Sequence, residues 1–341
     1  MTTLAFAGAG WVTAVHGLAA DGVPDLEVTC VASRTRRAAH RRAEQVDAVA
    51  CDYDDLPGDA DAVVVATPPA LHLREAERAT AAGAAALVEV PLADTLAAAD
   101  RLVDAASAGA VIAYGENLVH APAVAAAMRA CRRIGELTYL EVRVAQPRPD
   151  GGGRLDPAWG GGVLFDLGAH AVALALLLAA PARVTAVSAR LDAGQGLAVD
   201  DDATVELTFD GGLRAELRAS WRAAAPTWMA QAASGSGAVH LELVPVPVVE
   251  LNGRALRLPD VPDDLPSPQL HHLGYVGQLA ALAADAEARR APRSGAAFGR
   301  AVLDVICAAY ASAASGRSEA VPYAGPRDRT PIQLWRDPAR A

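Results

Sequence analysis

Asp166 and His170 stand four residues apart in the run GGGVLFDLGAH (160–170), which opens an apolar, helix-like stretch. That spacing puts both on one helical face. A carboxylate there can hold an imidazole in one tautomer and favour its protonated form. His170 is therefore a candidate catalytic acid or base for a substrate oxygen or nitrogen, with Asp166 as its partner. Early in the chain, Gly8-Ala9-Gly10 joins a short apolar run to a helical stretch. Backbone N–H groups at such a turn suit a pyrophosphate, so Gly8, Gly10, Trp11 and Val12 are expected cofactor contacts. The third glycine of G-x-G-x-x-G is missing, because Thr13 occupies its place. At the end of the next apolar run, where an NAD-preferring turn carries an acid, the chain has Ser33-Arg34. A hydroxyl and a guanidinium can bind a 2′-phosphate, so NADP(H) is expected over NAD(H). Arg36, Arg37, Arg41 and Arg42 read as a solvated helix face.

Other chemistry is excluded by composition. All 30 basic residues are arginine, so the chain supplies neither an ammonium proton donor nor a Schiff-base lysine. Forty acidic residues bring the net charge to −10, the opposite of the basic surface that nucleic-acid binding needs. With 52% hydrophobic residues there is ample material for a core. The longest nearly pure apolar run, 171–180, is shorter than the ~20 residues of a membrane span. Cys30, Cys51, Cys131 and Cys307 show no C-x-x-C pair or zinc-like spacing, so reduced, mostly buried thiols and no metal site are expected. Met1-Thr2-Thr3 enters an apolar run without a basic leader region, which predicts a cytoplasmic protein.

Positioning the candidate residues requires a particular set of elements. Apolar runs at 4–8, 26–32, 62–66, 85–88 and 111–114 alternate with helical stretches, which predicts a parallel sheet covered on both faces. Thr67, Pro68, His72, Glu89, Val90, Glu116, Asn117 and His120 follow strand ends, where such a sheet places its ligand crevice. Asn117 is expected at cofactor and His120 at substrate, as an alternative proton donor; Tyr114 reads as core. A helix at 121–133 and a strand at 137–145 precede a Pro/Gly-rich loop, 146–162, with Arg148, Arg154 and Trp159. Loops of that length are commonly functional. Arg148 and Trp159 are expected near substrate, although a solvated loop suits the arginines. Six further strands from 184 to 251, with hairpin turns at Gly211-Gly212 and Asn252-Gly253, lead to helices at 275–289 and 298–315. His271-His272 read as surface neighbours. The fold class is α/β with two domains: a Rossmann dinucleotide-binding domain over 1–118, then an α+β domain with a large open, mostly antiparallel sheet over 119–341.

In order and spacing, the GAG turn, ATPPALH (66–72), EVP (89–91), GENLVHAPAV (115–124), GGGVLFDLGAH, the six-strand region, AAYASAASGR (308–317) and DRTPIQLWR (328–336) resemble the Gfo/Idh/MocA family of NAD(P)-dependent oxidoreductases. The resemblance covers essentially the whole chain. It implies that Asp166 and His170 are the family's Asp-x-x-x-His and that the turn at Thr67-Pro68-Pro69, which His72 follows, lies against the nicotinamide ribose; Thr67, Pro68, His72 and Glu89 are expected cofactor contacts. It also implies a homo-oligomer, dimer or tetramer, formed through the open sheet face. One departure stands out. The family's Glu-Lys-Pro is here Glu89-Val90-Pro91, and Val90 moves no proton. General acid–base assistance is typically worth ~10²–10⁴ in rate, or roughly 3–5 kcal/mol. The implied function is NADP(H)-dependent hydride transfer to or from a small polar substrate: the C=N or C=O of an imine, ketone or sugar-like compound. His170 and Asp166 then work without the lysine. An imine tolerates its loss best, because it carries its proton before hydride arrives. The alternative is a cofactor-binding protein without net redox turnover: a redox-neutral lyase or epimerase, a regulator or a scaffold subunit.

Overall fold

The computed structural model describes residues 1–261 and 267–337; residues 338–341, the end of the second expected domain, lie outside the described residues. In chain order the first elements are β1 (Thr2–Ala7), α1 (Trp11–Ala20), β2 (Leu26–Ala32), α2 (Arg36–Gln45), β3 (Val49–Cys51), β4 (Ala62–Val65), α3 (His72–Ala81), β5 (Ala85–Val88), α4 (Leu96–Ser107) and β6 (Ile112–Tyr114). Next come α5 (Pro122–Ile134), β7 (Leu137–Pro147), α6 (Val163–Ala179), β8 (Val184–Asp192), β9 (Asp202–Phe209), β10 (Arg214–Ser220), β11 (Arg222–Ser234), β12 (Gly237–Val244), β13 (Val248–Leu251) and β14 (Arg254–Ala255). The chain then forms α7 (Pro268–His272), α8 (Tyr275–Ala288), α9 (Ala296–Ser315), β15 (Glu319–Ala320) and α10 (Pro331–Arg336).

Two compact units result. The first comprises Met1–Ala93, Ala98–Ala121 and Asp260–Arg300. Its six strands are all parallel, in the order β3-β2-β1-β4-β5-β6. The strands β4 and β5 are buried along their whole length, as befits a sheet covered on both faces. The direction of winding reverses between β1 and β4, and ligands of such sheets lie at that switch point, outside the carboxyl ends of the strands. Helix α8 adds Val276, Leu279 and Leu282 to the core formed by Leu4, Phe6, Val31, Val64 and Leu87. The three-residue β3 is too short for its apolar pattern to stand out in the sequence.

The second unit comprises Asp94–Ala97, Pro122–Pro259 and Ala301–Ala341. Its nine strands run β14-β13-β12-β11-β7-β10-β9-β8-β15, antiparallel except for β7 beside β10. Leu140, Val142 and Val144 point inward from β7, whereas Tyr139 and Arg143 face outward. Helices α5 and α6 pack on the inward face. Strand β11 starts six residues earlier than its apolar pattern suggests, with irregular pairing to β7 between Arg222 and Thr227. The segment Pro157–Ala179 and α9 are long and apolar enough to cross a membrane, but 78% and 67% of their apolar windows are buried inside the fold.

Candidate active site

In the first unit, β1 delivers the chain to Gly8, whose φ of +124° and close backbone neighbours exclude a side chain. A Cβ there would come within 2.3 Å of the Ala66 carbonyl oxygen. Gly10 is the N-cap of α1; a Cβ on it would meet nothing within 4 Å, no side chain caps the helix, and its first turn holds no acid. Trp11 is 67% exposed and Val12 half-buried. Backbone donors left open at a helix N-terminus make an anion site. Thr13 is fully buried and its hydroxyl donates to the Gly8 carbonyl at 2.9 Å, closing the turn where the third glycine is absent.

At the end of β2, Ser33 is half-buried and Arg34 exposed. Nearby arginines are engaged, Arg36 with Asp52 at 2.9 Å and Arg78 with Asp54 at 3.2 Å. Arg34 forms no ion pair among the described residues. Burial, then Glu75, raises the Tyr53 phenol, opposed by Arg74 and Arg34. Tyr53 thus shares this end of the sheet with two guanidinium groups, a neighbour that the sequence pattern does not reveal.

The ends of β4, β5 and β6 carry a more buried set. Thr67 is buried, with its hydroxyl unpartnered, and Pro68 is exposed. His72 is 1% exposed, and its ring nitrogens face the carbonyl oxygens of Pro91 (Nδ1, 3.0 Å) and Thr67 (Nε2, 2.8 Å). Burial lowers its pKa, against the Thr67 carbonyl and Glu89. Its ring is therefore taken up in pinning the turn at Pro91. Oε1 of Glu89 lies 2.5 Å from Nε2 of His16, and the Val90 N–H donates to Oε2 at 3.3 Å. His16 is a contact that sequence reasoning missed, because its partner is 73 residues away. Val90 is half-buried. Asn117 donates through Nδ2 to the Leu273 carbonyl at 2.8 Å, and Glu116 is fully buried, accepting from the Leu118 N–H. Both brace the loop after β6. His120 is pushed down to about 4 by burial and by Arg293, against Asp285. Its ring is therefore held neutral near pH 7. Tyr114 is core, 1% exposed, whereas His271 and His272 are half-buried.

In the second unit the glycine run has a packing cause. A Cβ on Gly162 would come within 2.2 Å of the Asp200 carbonyl oxygen. Asp200, fully buried, accepts from the N–H groups of Gly162 (3.1 Å) and Leu164 (2.8 Å) and from the Tyr310 hydroxyl (2.5 Å). Burial raises its pKa in spite of these donors. The first turn of α6 is thereby fixed, and Asp166 and His170 follow on it. Asp166 has its carboxylate 3.5 Å from Arg154, its side chain one-fifth exposed. Burial raises its pKa, while Arg154 and then His170 lower it. The imidazole of His170 packs on Trp228, ring centroids 5.1 Å apart and tilted 43°. Arg154 is thus an ion-pair partner rather than a solvated loop residue. Trp228 is a neighbour that the sequence pattern does not reveal, because it lies 58 residues beyond His170 on another element. Exposed Arg148 is among the charges holding down the Asp201 carboxyl, after burial (which opposes) and the stronger contacts of Arg222 and the Gly194 N–H. Trp159 packs over Gly153.

A phosphate turn on a parallel sheet in one unit, with an acid–histidine helix on a mixed sheet in the other, is the layout of a dinucleotide-dependent oxidoreductase. Residues 2–116 match the profile of an oxidoreductase family with an NAD-binding Rossmann fold, and residues 123–239 match the GFO/IDH/MocA C-terminal domain. The chain belongs to the GFO/IDH/MocA family. It is similar to dTDP-3,4-didehydro-2,6-dideoxy-alpha-D-glucose 3-reductase of Streptomyces violaceoruber, 35% identical over 182 residues, covering 51% of this chain and 53% of that one. The enzyme of that name from Streptomyces antibioticus is 33% identical over 171 residues, covering 46% and 50%. The matched part of the chain thus spans about half the length of these two relatives. The crystal structure of GenD2 from gentamicin A biosynthesis, in complex with NAD, superposes with a TM-score of 0.83 at 26% identity, covering 94% of this chain and 96% of that one.

Proposed function

We propose that the chain is an NADP(H)-dependent oxidoreductase that moves hydride to the carbonyl carbon of a sugar-like substrate, or from the carbinol carbon of the matching alcohol, with an imine as the other acceptor class. The observation that carries this reading is the open N-terminus of α1 behind Gly8 and Gly10, at the switch point of a parallel sheet. Gly8, Gly10 and the N–H groups of Trp11 and Val12 would hold the pyrophosphate. Ser33 and Arg34 would take a 2′-phosphate, and Thr67, Pro68 and Glu89 would meet the nicotinamide half. A bound nicotinamide supplies or accepts the hydride. His170 gives or takes the balancing proton; Asp166 and Arg154 set the charge beside it, and Trp228 fixes its ring. Val90, Arg148 and Trp159 shape the substrate's surroundings. The sugar-like class is supported by the dTDP-sugar reductases among the relatives. The first 118 residues serve the dinucleotide, and the sheet-bearing remainder serves substrate and assembly. A homo-oligomer through the outward sheet face, where Tyr139, Arg143, Arg214 and Arg218 stand exposed, and a cytoplasmic location complete the reading.

Calorimetry with NADPH and NADH tests the cofactor. NADPH should bind more tightly, and Ser33→Asp should narrow the gap about tenfold by placing a charge beside the 2′-phosphate. Equal dissociation constants would remove the NADP(H) preference. Consumption of NADPH with dTDP-3,4-didehydro-2,6-dideoxy-α-D-glucose tests the substrate class. Val90 and the absence of lysine favour the second reading, a cofactor-binding protein without net redox turnover. Tight NADPH binding without consumption across sugar ketones and imines would support it.

A further inference from the structure

Glu89 follows β5, two strands from β1 in the first sheet. A dinucleotide with its pyrophosphate at α1 sends one half toward β2 and the other toward β4 and β5. Ser33 and Arg34 mark the β2 side for the adenosine half, which leaves the nicotinamide half for the side of Glu89. The Glu89 carboxylate is held in place there. A separation of 2.5 Å between its Oε1 and Nε2 of His16 places a proton between them. His16 is wholly buried, and its Nδ1 has no partner among the described residues. The edge of Tyr275, 5.5 Å away, and the ring of Phe6 flank it. Burying an imidazole with one nitrogen unsatisfied costs free energy that an apolar side chain would avoid. Among the described residues, the one polar contact of its side chain is with Glu89, whose side chain keeps 13% exposure while that of His16 keeps none. At the end of β6, Gly115 preserves the space: a Cβ there would come within 2.9 Å of the Glu89 Cα and 3.3 Å of Oε1.

We infer that His16 is a positioning residue acting through Glu89, holding that carboxylate so that an oxygen accepts a hydrogen bond from the carboxamide N–H of a bound nicotinamide. This rests on the cofactor reading above. A carboxamide offers N–H donors and a carboxylate only acceptors. With Val90 where the family carries lysine, no ammonium on the same turn can orient Glu89, and His16 does so from behind.

The test needs no substrate. Calorimetric titration of the full chain with NADPH, and in parallel with 2′-phospho-ADP-ribose, separates the nicotinamide contacts from the rest; NADH and ADP-ribose are run alongside so that an NAD-preferring chain is read the same way. Glu89→Ala and His16→Ala should each weaken the nicotinamide-bearing ligand about tenfold, the size of one charge-assisted hydrogen bond, and leave the truncated ligand within about twofold. His16→Gln, whose amide N–H can reach the carboxylate, should recover most of the loss. If His16→Ala does not fold, His16→Leu fills the space without a hydrogen-bonding atom and carries the same comparison. Equal losses for both ligands, or no loss for either, would overturn the inference and make the pair a packing feature. Failure of the unmodified chain to bind any of the four would sink the cofactor reading and this inference with it.

Discussion

Helices α1 and α6 both start behind glycine, Gly10 in one and Gly162 in the other, but their first turns are in opposite states. The first turn of α1 holds no acid and no side-chain cap, and Gly10 borders open space. At α6, Asp200 approaches from 38 residues away, accepts from the Gly162 and Leu164 N–H groups through its carboxylate and from the Val163 N–H through its carbonyl. Asp166 adds a second acid inside the turn. Glycine before a helix therefore has two meanings. At α1 it leaves backbone donors open, and at α6 it lets a buried carboxylate close in. The first suits the proposed binding of an anion, and the second suits holding Asp166 and His170, the proposed catalytic pair, rigidly.

If the closed helix serves chemistry and the open one binding, His170→Ala should show the largest effect. Turnover should fall by about 10²–10⁴, roughly 3–5 kcal/mol of barrier, with NADPH affinity within about twofold. A large loss of affinity instead would mean that α6 also binds cofactor. Opening the closed end comes next: Asp200→Ala strands the Leu164 N–H and the Tyr310 hydroxyl proton, leaves the Gly162 N–H only the Tyr310 oxygen, and should cost about 3 kcal/mol in urea unfolding. Closing the open end is the converse. Gly10→Asp supplies the missing cap and should change stability by less than about 1 kcal/mol, while weakening NADPH at least about tenfold by occupying and repelling the pyrophosphate position. Unchanged affinity would show that α1 is not the anion site.

The same contrast explains what the sequence made legible. The strand–glycine–helix pattern of β1 and α1 is local, so its residues announce it, and the alternation of apolar runs gives the parallel sheet. Asp166 and His170 are legible for the same reason, four residues apart on one helix. Arg154 against Asp166, Trp228 against His170, Asp200 beneath Gly162 and His16 against Glu89 are all tertiary pairings between segments that no local period relates. Thr13 is instructive as well. Its place in the glycine pattern marks a departure, but only the bond to the Gly8 carbonyl shows how a hydroxyl closes the turn. His72 and Asn117 are legible as strand-end residues, yet both ring nitrogens of His72 and the Nδ2 of Asn117 face backbone carbonyls.

The smallest effect bears on the cost of closing α6 with acids. Burial raises the Asp166 pKa, and Arg154 and His170 only partly offset it. The native state therefore keeps this proton to higher pH than the unfolded chain, whose aspartates titrate near ~4. The associated stability is fully present below the unfolded value and is lost as pH rises through the native one. The amide that Asp166→Asn introduces does not titrate, so the variant should gain on the wild type from about pH 4 upward and then level off. Asp200, raised in the same sense, is common to both proteins and cancels from the difference. Urea midpoints for the pair across a pH series would reveal the trend; a difference that stayed flat would mean that Asp166 ionises as readily in the fold as outside it. Turnover should move the other way at neutral pH, because the amide keeps the shape but withdraws the charge that favours a protonated His170. A variant that is both more stable and slower would identify Asp166 as an acid kept at α6 for chemistry, against the preference of the fold.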